Sequence, residues 1–182
     1  MSKSSKGGEF ERDISKYLTY WLTGKKKPLN FWRMPGSGGM ATIDELNSDL
    51  SGDIRGITSE GMDITNVLSI EAKNGYPSTS FFQHFANIKN FNIRSFWIQC
   101  TDDAKKPNKH PMLIYKKKGR KPLVGINSVI DEKLKKINND VCDLSSILLH
   151  WPKKYDLPDL IFYDMNYFFK IITPDDIRNI NK

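Results

Sequence analysis

The stretch at residues 67–73, Val-Leu-Ser-Ile-Glu-Ala-Lys, constrains the fold more than any other part of the sequence. Its β-branched and aliphatic residues predict a buried strand over 67–72. Successive side chains of a strand point to opposite faces, so Glu71 and Lys73 share one face and Ala72 faces the core. Two charges on one face of a buried strand cost free energy unless an ion or a partner satisfies them. The strand therefore predicts a charged site.

A third charged residue, Asp53, lies just inside the preceding predicted strand. Residues 52–58 alternate in the manner of a strand, with Ile54 and Ile57 as its apolar members. Residues 59–63 supply a turn, so we predict a hairpin that joins this strand to the one at 67–72. In such a hairpin the three charged side chains converge on one place.

Two carboxylates and one ammonium group at one place suit a particular chemistry. A hard cation such as Mg²⁺ takes oxygen ligands, and the carboxylates of Asp53 and Glu71 with the backbone carbonyl of Ala72 provide them. A lysine beside a metal-bound water can orient that water or balance the charge that develops in a reaction, which predicts a catalytic Lys73. Glu-x-Lys alone is also compatible with an ordinary charged surface strand, but the buried context favours the metal site.

The first helix carries a carboxylate on its apolar side. From Glu9 to Gly24 the apolar residues recur at the spacing of one helix face, and Glu11 falls between Leu18 and Leu22 within that stripe. One interpretation is an ion pair with an arginine, or a first-turn charge stabilised by the helix dipole. The interpretation we favour is a contribution from Glu11 to the metal site.

The remaining pattern predicts an α/β domain. Further strands are expected at 30–34, 95–101, 112–115 and 123–126, with 95–101 central in the sheet and a strand pair across 160–172. Further helices are expected after Ser78 or Ser80, at 129–137, and from Thr173-Pro174 onward. An apolar patch covers 144–151. We expect a single domain over 1–182, with a core at about 7–128 and a carboxyl-terminal extension at about 129–182.

The composition indicates which classes of partner to expect. The formal charge is +7, and lysine-rich blocks such as 25–27 and 116–121 favour a nucleic-acid partner, although any single block is also compatible with a solvated loop. Two distant cysteines do not make a disulfide framework. No apolar run approaches the roughly 18 to 20 residues that span a bilayer, so we expect a cytoplasmic protein with no membrane partner. Aromatic residues in or near the strands, among them Phe31, Trp32, Trp97 and Trp151, are assigned to packing.

Four segments together resemble a known family. They are Glu11 on the first helix, 31–39 (Phe-Trp-Arg-Met-Pro-Gly-Ser-Gly-Gly), 51–54 (Ser-Gly-Asp-Ile) and 69–75 (Ser-Ile-Glu-Ala-Lys-Asn-Gly). The sequence resembles the PD-(D/E)xK nucleases, in particular small phage and bacterial endonuclease-like proteins and archaeal Holliday-junction resolvases. The resemblance covers roughly the first 130 residues and implies a restriction-endonuclease-like αβββαβ core, a mixed β-sheet flanked by helices. Gly52 stands where the motif has proline.

The resemblance also implies roles for individual residues. Asp53 and Glu71 correspond to the metal ligands, with Mg²⁺ as the cofactor and Mn²⁺ as its substitute. Lys73 corresponds to the catalytic lysine, and Glu11 supports the site. Arg33 and Ser37 correspond to positions near the scissile phosphate.

A glutamine recurs on the helix after the Glu-x-Lys strand in some members of this family, and Gln83 is the candidate here. The function implied is metal-dependent hydrolysis of DNA, in a protein that is compatible with a phage gene expressed in a bacterial host. Three alternatives stay open: a junction resolvase acting as a homodimer, a non-catalytic DNA-binding module and an RNA-processing enzyme.

Overall fold

The computed structural model describes residues 6–34, 51–76, 80–81 and 92–181. The helices in this part of the chain are α1 Lys6–Thr23, α2 Ser59–Val67, α3 Asn92–Lys105, α4 Ser128–Ile137, α5 Met165–Ile171 and α6 Pro174–Asn179. The strands are β1 Phe31–Arg33, β2 Ile54–Gly56, β3 Leu68–Gly75, β4 His110–Lys117, β5 Leu123–Asn127, β6 Ser146–Leu149 and β7 Leu160–Asp164. Helices and strands alternate, as predicted for an α/β domain.

The seven described strands form one mixed sheet in the order β1-β2-β3-β4-β5-β7-β6. β3 and β4 are parallel, with Leu68 opposite His110 and Gly75 opposite Lys117. The other neighbouring strands are antiparallel. β4 lies at the centre of the sheet, and β3, which carries the predicted site, is its neighbour.

Helices cover both faces of this sheet. On one face α1 packs through Phe10, Ile14 and Leu18, which recur every four residues and are almost fully buried. On the other face α3 packs against Leu113 and Tyr115 of β4. Burial of each such aliphatic or aromatic side chain stabilises the fold by about 1.5–3 kcal/mol. The predicted restriction-endonuclease-like α/β class, a mixed sheet flanked by helices, is confirmed.

The first helix ends as its sequence predicts but begins earlier. Gly24 has φ +68° and its N–H donates to the carbonyl of Tyr20, which closes the last turn in the left-handed conformation that glycine adopts easily. Because the helix begins at Lys6, Glu11 lies in its second turn and not in the first. The helix dipole therefore acts less directly on Glu11 than the sequence suggested.

The predicted strand at 95–101 is wrong, because this segment lies within helix α3. Its nearly continuous apolar character suggested a central strand. The buried residues instead recur at helical spacing, as Ile93, Phe96, Trp97, Cys100 and Ala104. This helix provides the return connection that two parallel strands such as β3 and β4 require.

The predicted hairpin between 52–58 and 67–72 is also wrong in its connection. β2 and β3 are antiparallel neighbours, but helix α2 replaces the predicted turn at 59–63. The Thr58 side chain caps this helix by accepting from the N–H of Gly61. A Cβ atom at Gly56 would collide with the backbone of Gly61, so the two glycines allow α2 to pack closely on β2.

The carboxyl-terminal third joins the same sheet. β7 pairs with β5, and β6 lies beyond β7 at the edge. Of the strand pair predicted across 160–172, the first strand is present as β7. The second is wrong, because β7 ends at Asp164, whose side chain caps helix α5. Asp164 accepts from two backbone N–H groups, which favours a helix at this point over a second strand.

Several other predictions are confirmed. β4 and β5 pair through the lysine-rich turn, and α4 occupies the predicted helix at 129–137. Thr173 and Asp176 form a capping box that opens α6. Both cysteines are free thiols. Within the described ranges, no helix has the length and apolar character needed to cross a bilayer.

Candidate active site

Strand β3 brings Glu71 and Lys73 together on one face. The Nζ atom of Lys73 lies 2.5 Å from Oε1 of Glu71, and only 2% of the Glu71 side chain is exposed. Lys73 also lies beside α3, with its Nζ atom 6.0 Å from the centre of the Phe96 ring. The predicted arrangement on this strand, two charges on one face with Ala72 on the core side, is confirmed.

Asp53 is held by two hydrogen bonds to strand β3 and by a third to Met34, the residue after β1. Its N–H donates to the carbonyl of Ile70, its own carbonyl accepts from the N–H of Met34, and its Oδ2 accepts from the N–H of Ala72 at 2.9 Å. The side chain is 4% exposed. The loop before β2 therefore positions this carboxylate next to the middle of β3.

The residue before Asp53 explains why the motif proline is missing. Gly52 has φ +82°, a conformation that proline cannot adopt and that other L-residues rarely adopt. A Cβ atom at Gly52 would lie 2.6 Å from the carbonyl oxygen of Ile70. Glycine at this position lets the chain approach β3 closely enough for Asp53 to reach the N–H of Ala72.

Burial and a neighbouring acid both act on the Glu71 carboxyl. Burial raises the pKa of Glu71 to about 7, and the nearby Asp53 carboxylate raises it as well, while Lys73 lowers it only in part. For Glu71, the ammonium group of Lys73 does not fully offset burial and the nearby acid. A bound cation would favour the charged form of this carboxylate.

Lys73 keeps its proton at neutral pH. Burial alone would lower the pKa of its ammonium group, but Glu71 and Asp53 more than offset that effect, so the pKa lies above its ordinary value. A lysine in this state donates hydrogen bonds and carries positive charge. It does not accept a proton.

Glu11 pairs with Arg33, the arginine of β1. The Nε atom of Arg33 lies 3.6 Å from Oε2 of Glu11, and both side chains are partly exposed. Burial raises the pKa of Glu11, the Asp53 carboxylate raises it further, and Arg33 and Lys73 lower it. The arginine pair of the first interpretation is present, and the contribution of Glu11 to a metal site stays a prediction.

Two residues of α3 reach the site, and sequence reasoning missed both as site residues. The Nε2 atom of Gln99 donates to Oε1 of Glu71 at 2.8 Å. Asp103, one turn further along α3, also raises the pKa of Glu71. The signal was the helical spacing of the buried residues in 93–104, which places Gln99 and Asp103 on one side of a helix.

The remaining predictions concern Ser37, Gln83 and the aromatic residues assigned to packing. Ser37 and Gln83 lie outside the described residues, as does most of the helix predicted after Ser78 or Ser80. Packing is confirmed for Phe31, Trp97 and Trp151. It is wrong for Trp32, which is 45% exposed because it leaves β1 on the face opposite the buried Phe31.

The chemistry of the site fits a hard divalent cation. Asp53 and Glu71 offer carboxylate oxygens. The N–H and C=O of one strand residue point to the same side, so the carbonyl of Ala72 points toward β2, as its N–H does. Across the described ranges no three His, Cys, Asp or Glu side chains form a metal-binding group. The expected set needs only two, with the carbonyl and water or substrate as the other ligands.

Comparison with known proteins adds independent support. A family model described as "Phage putative PDDEXK endonuclease" matches residues 2–179, so the match includes the carboxyl-terminal third that the sequence resemblance did not reach. Searches of curated proteins and of solved structures gave no significant match. With the motif residues gathered on β3 and its neighbour, this match shows that the chain belongs to the phage PDDEXK endonuclease family.

Proposed function

We propose that this protein is a metal-dependent endonuclease that hydrolyses phosphodiester bonds of DNA. One observation carries the proposal: two buried carboxylates meet at the middle of β3, Glu71 on the strand and Asp53 bound to the N–H of Ala72, with the Nζ atom of Lys73 2.5 Å from Glu71. A structural ion pair would need one acid for one lysine. A cation bound between Asp53 and Glu71 would balance the charge of the second buried acid.

The proposed ligands are Asp53, Glu71 and the carbonyl of Ala72, and Mg²⁺ is the ion that suits them, with Mn²⁺ as a substitute. When bound, the ion polarises the scissile phosphate and lowers the pKa of a coordinated water. The hydrogen bonds to Asp53 and Glu71 hold both carboxylates in place before the ion arrives. Lys73 donates hydrogen bonds to the attacking water or to the phosphate oxygen on which negative charge develops.

Three further residues complete the proposed site. Glu11 pairs with the Arg33 guanidinium, at 3.6 Å between Oε2 and Nε, and Arg33 lies opposite Ile54, the residue after Asp53. In this role Arg33 offers donors to a phosphate oxygen next to the one that is cut. Gln99 keeps Oε1 of Glu71 occupied, which leaves Oε2 for the ion.

The family description names a phage endonuclease. We propose that the protein is phage-encoded and acts on DNA in the cytoplasm of a bacterial host. The net charge of +7 supports a nucleic-acid substrate. DNA is proposed over RNA because the resemblance is to DNA-cutting enzymes. A homodimer is part of the proposal only if the enzyme cuts four-way junctions symmetrically.

The test is cleavage of a panel of labelled DNAs, duplex, single-stranded, flap and four-way junction, with 5 mM Mg²⁺ or Mn²⁺ or with EDTA. Asp53→Asn keeps a side-chain oxygen for the N–H of Ala72 but removes a charge, and Lys73→Gln keeps a donor for Glu71. We expect each to lower the cleavage rate at least about 100-fold. Asp140→Asn and Lys136→Gln, which change exposed residues of the same types, are the matched controls.

Each outcome is informative. Cleavage by both site variants at the rate of the controls would refute the assignment. Cleavage confined to the four-way junction would identify a resolvase. Absence of cleavage together with absence of Mn²⁺ binding in a calorimetric titration would favour a non-catalytic DNA-binding module. Preferential cleavage of an RNA version of the panel would favour an RNA-processing enzyme.

A further inference from the structure

The turn between β4 and β5 carries a dense group of positive charges. Residues 116–121 are the last two residues of β4 and the first four of the turn. Five of these six are cationic, Lys116, Lys117, Lys118, Arg120 and Lys121, and the sixth is Gly119. We call residues 116–121 the basic turn. The tip, 118–121, is exposed, and it is closed by a hydrogen bond from the N–H of Arg120 to the carbonyl of Lys117.

Strand register places the basic turn beside the proposed active site. β3 and β4 are parallel, with Lys73 opposite Tyr115 and Gly75 opposite Lys117. Lys73 lies near the carboxyl end of β3, and the basic turn extends from that same end of the sheet. Strand spacings put the Cα atoms of Lys73 and Lys117 roughly 8 Å apart.

The alternation of side chains brings the turn to both sides of the site. Tyr115 packs on the α3 face, where its ring centre lies 6.3 Å from that of Phe96, so Lys117 leaves the sheet on the same face as Lys73. Lys116 leaves on the α1 face, and its Nζ atom lies 5.9 Å from the centre of the Phe10 ring, next to Glu11 in sequence. The basic turn thus lies just beyond the level of Lys73 along the sheet, with charges on both faces.

These charges have no acidic partner in the described part of the chain. No carboxylate there forms an ion pair with any cation of the basic turn, whereas Arg33 pairs with Glu11 and Lys73 with Glu71. Five like charges repel one another and weaken folding unless a polyanion compensates them. A turn required only for connection would need two to five residues of any polar type.

We propose that the basic turn binds the phosphate backbone of duplex DNA on one side of the scissile phosphate. This inference rests on the proposed function, because it takes the site at Asp53 and Glu71 as the place of cutting. From the level of Lys73 to the tip of the turn, four strand residues span roughly 13 Å. Phosphates of one strand advance about 3.4 Å per nucleotide along the helix axis, so the turn reaches to about four nucleotides from the cut.

The lysines at 25–27 provide a matched control. They are exposed and carry three positive charges, but they follow the opposite end of α1. From Glu11 to Thr23 that helix extends about 18 Å away from the site. General attraction of a basic protein to DNA would depend on both groups of charges equally, whereas a bound duplex positioned at the site would depend on the basic turn.

The experiment compares Lys118→Ala/Arg120→Ala/Lys121→Ala with Lys25→Ala/Lys26→Ala/Lys27→Ala, so each variant loses three positive charges. Binding of a 30-base-pair DNA duplex is measured by fluorescence anisotropy in EDTA, between 50 and 200 mM KCl. We expect the basic-turn variant to bind at least about 10-fold more weakly and to lower the slope of log affinity against log salt by about 2 to 3. The control should change affinity less than about 3-fold.

A charge-preserving variant, Lys118→Arg/Arg120→Lys/Lys121→Arg, separates charge from loop shape and should bind like the wild type. Equal loss of affinity in the two alanine variants, or no loss in the basic-turn variant, would overturn the proposal. Because EDTA removes divalent metal ions, DNA binding is measured without cleavage, and this result is independent of catalysis. A failure of the proposed function would instead appear as unchanged cutting by Asp53→Asn and Lys73→Gln.

Discussion

The side-chain amide of Gln99 donates a hydrogen bond to Oε1 of Glu71 at 2.8 Å, joining the middle of helix α3 to the middle of strand β3. The same oxygen lies 2.5 Å from the Nζ atom of Lys73. Two donors therefore hold one oxygen of the most buried acid of the site. Positioning a ligand in this way typically changes metal affinity or activity 10–100-fold.

We predict that Gln99→Ala lowers nuclease activity roughly 10–100-fold while leaving stability nearly unchanged. The activity falls because Glu71 loses the partner that fixes its orientation. Stability changes little because the Gln99 side chain is largely exposed. Cleavage rates and urea unfolding measure the two effects. Ile98→Ala, at an exposed neighbouring position on α3, is the control, and equal losses of activity in both variants would contradict a specific role for Gln99.

The raised pKa of Glu71 predicts a loss of stability as pH rises. Below pH 4.5 the carboxyl is protonated in the folded and unfolded states alike, and its burial costs little. Between pH 4.5 and about 7 the unfolded chain releases the proton while the folded protein keeps it, so stability falls. Above pH 7 the full penalty remains, about 3 kcal/mol at 1.36 kcal/mol per pKa unit.

Glu71→Gln isolates that penalty, because it removes the titrating group and keeps an acceptor for Gln99. We expect the variant to be more stable than the wild type at pH 8 in EDTA, and the difference to disappear toward pH 4.5. Urea unfolding of both proteins at several pH values measures it. A wild type that is more stable than Glu71→Gln at pH 8 would show that the ion pair with Lys73 outweighs burial.

Metal binding should reverse the same penalty. A ligand that binds only the folded state stabilises it by RT ln(1 + [L]/Kd), so we expect 10 mM Mg²⁺ at pH 8 to stabilise the wild type by about 1–3 kcal/mol. Below pH 7 the effect should shrink, because protons compete with the ion for Glu71. Asp53→Asn should lose the effect and Asp140→Asn should keep it. Thermal unfolding with and without Mg²⁺ provides the measurement, and an equal shift in Asp53→Asn would exclude Asp53 as a ligand.

The glycine before Asp53 predicts a further pair of variants. Gly52→Ala combines a positive φ with a Cβ atom 2.6 Å from the carbonyl of Ile70, so it should displace the chain from β3. We expect a loss of at least about 3 kcal/mol of stability together with a loss of activity. Gly24→Ala has a similar φ, +68°, but no atom within 4 Å of the added Cβ, and should cost only about 1–2 kcal/mol. Equal losses of stability would show that strain alone governs both positions.

The sequence by itself determined the chemistry of β3 and the class of the fold. Alternation along 67–73 is a local property, so Glu71 and Lys73 on one face and Ala72 on the other followed without any knowledge of the tertiary structure. The stripe on α1 is local for the same reason, and it singled out Glu11 as a carboxylate on the core-facing side. The resemblance carried by these segments then indicated the family to which the chain belongs.

Only the tertiary structure decided what surrounds that strand. Nothing local distinguishes a run such as Ser-Phe-Trp-Ile-Gln-Cys-Thr as a buried strand from the same run as a helix whose outer face is exposed. The choice depends on the two parallel strands that need a covering connection, and it brings Gln99 to Glu71. In the same way, the sequence shows Gly52 only as a departure from the motif proline. The close approach of this residue to β3 gives the reason for glycine. Long-range packing sets these contacts, because residues far apart in sequence meet only when the whole sheet has formed.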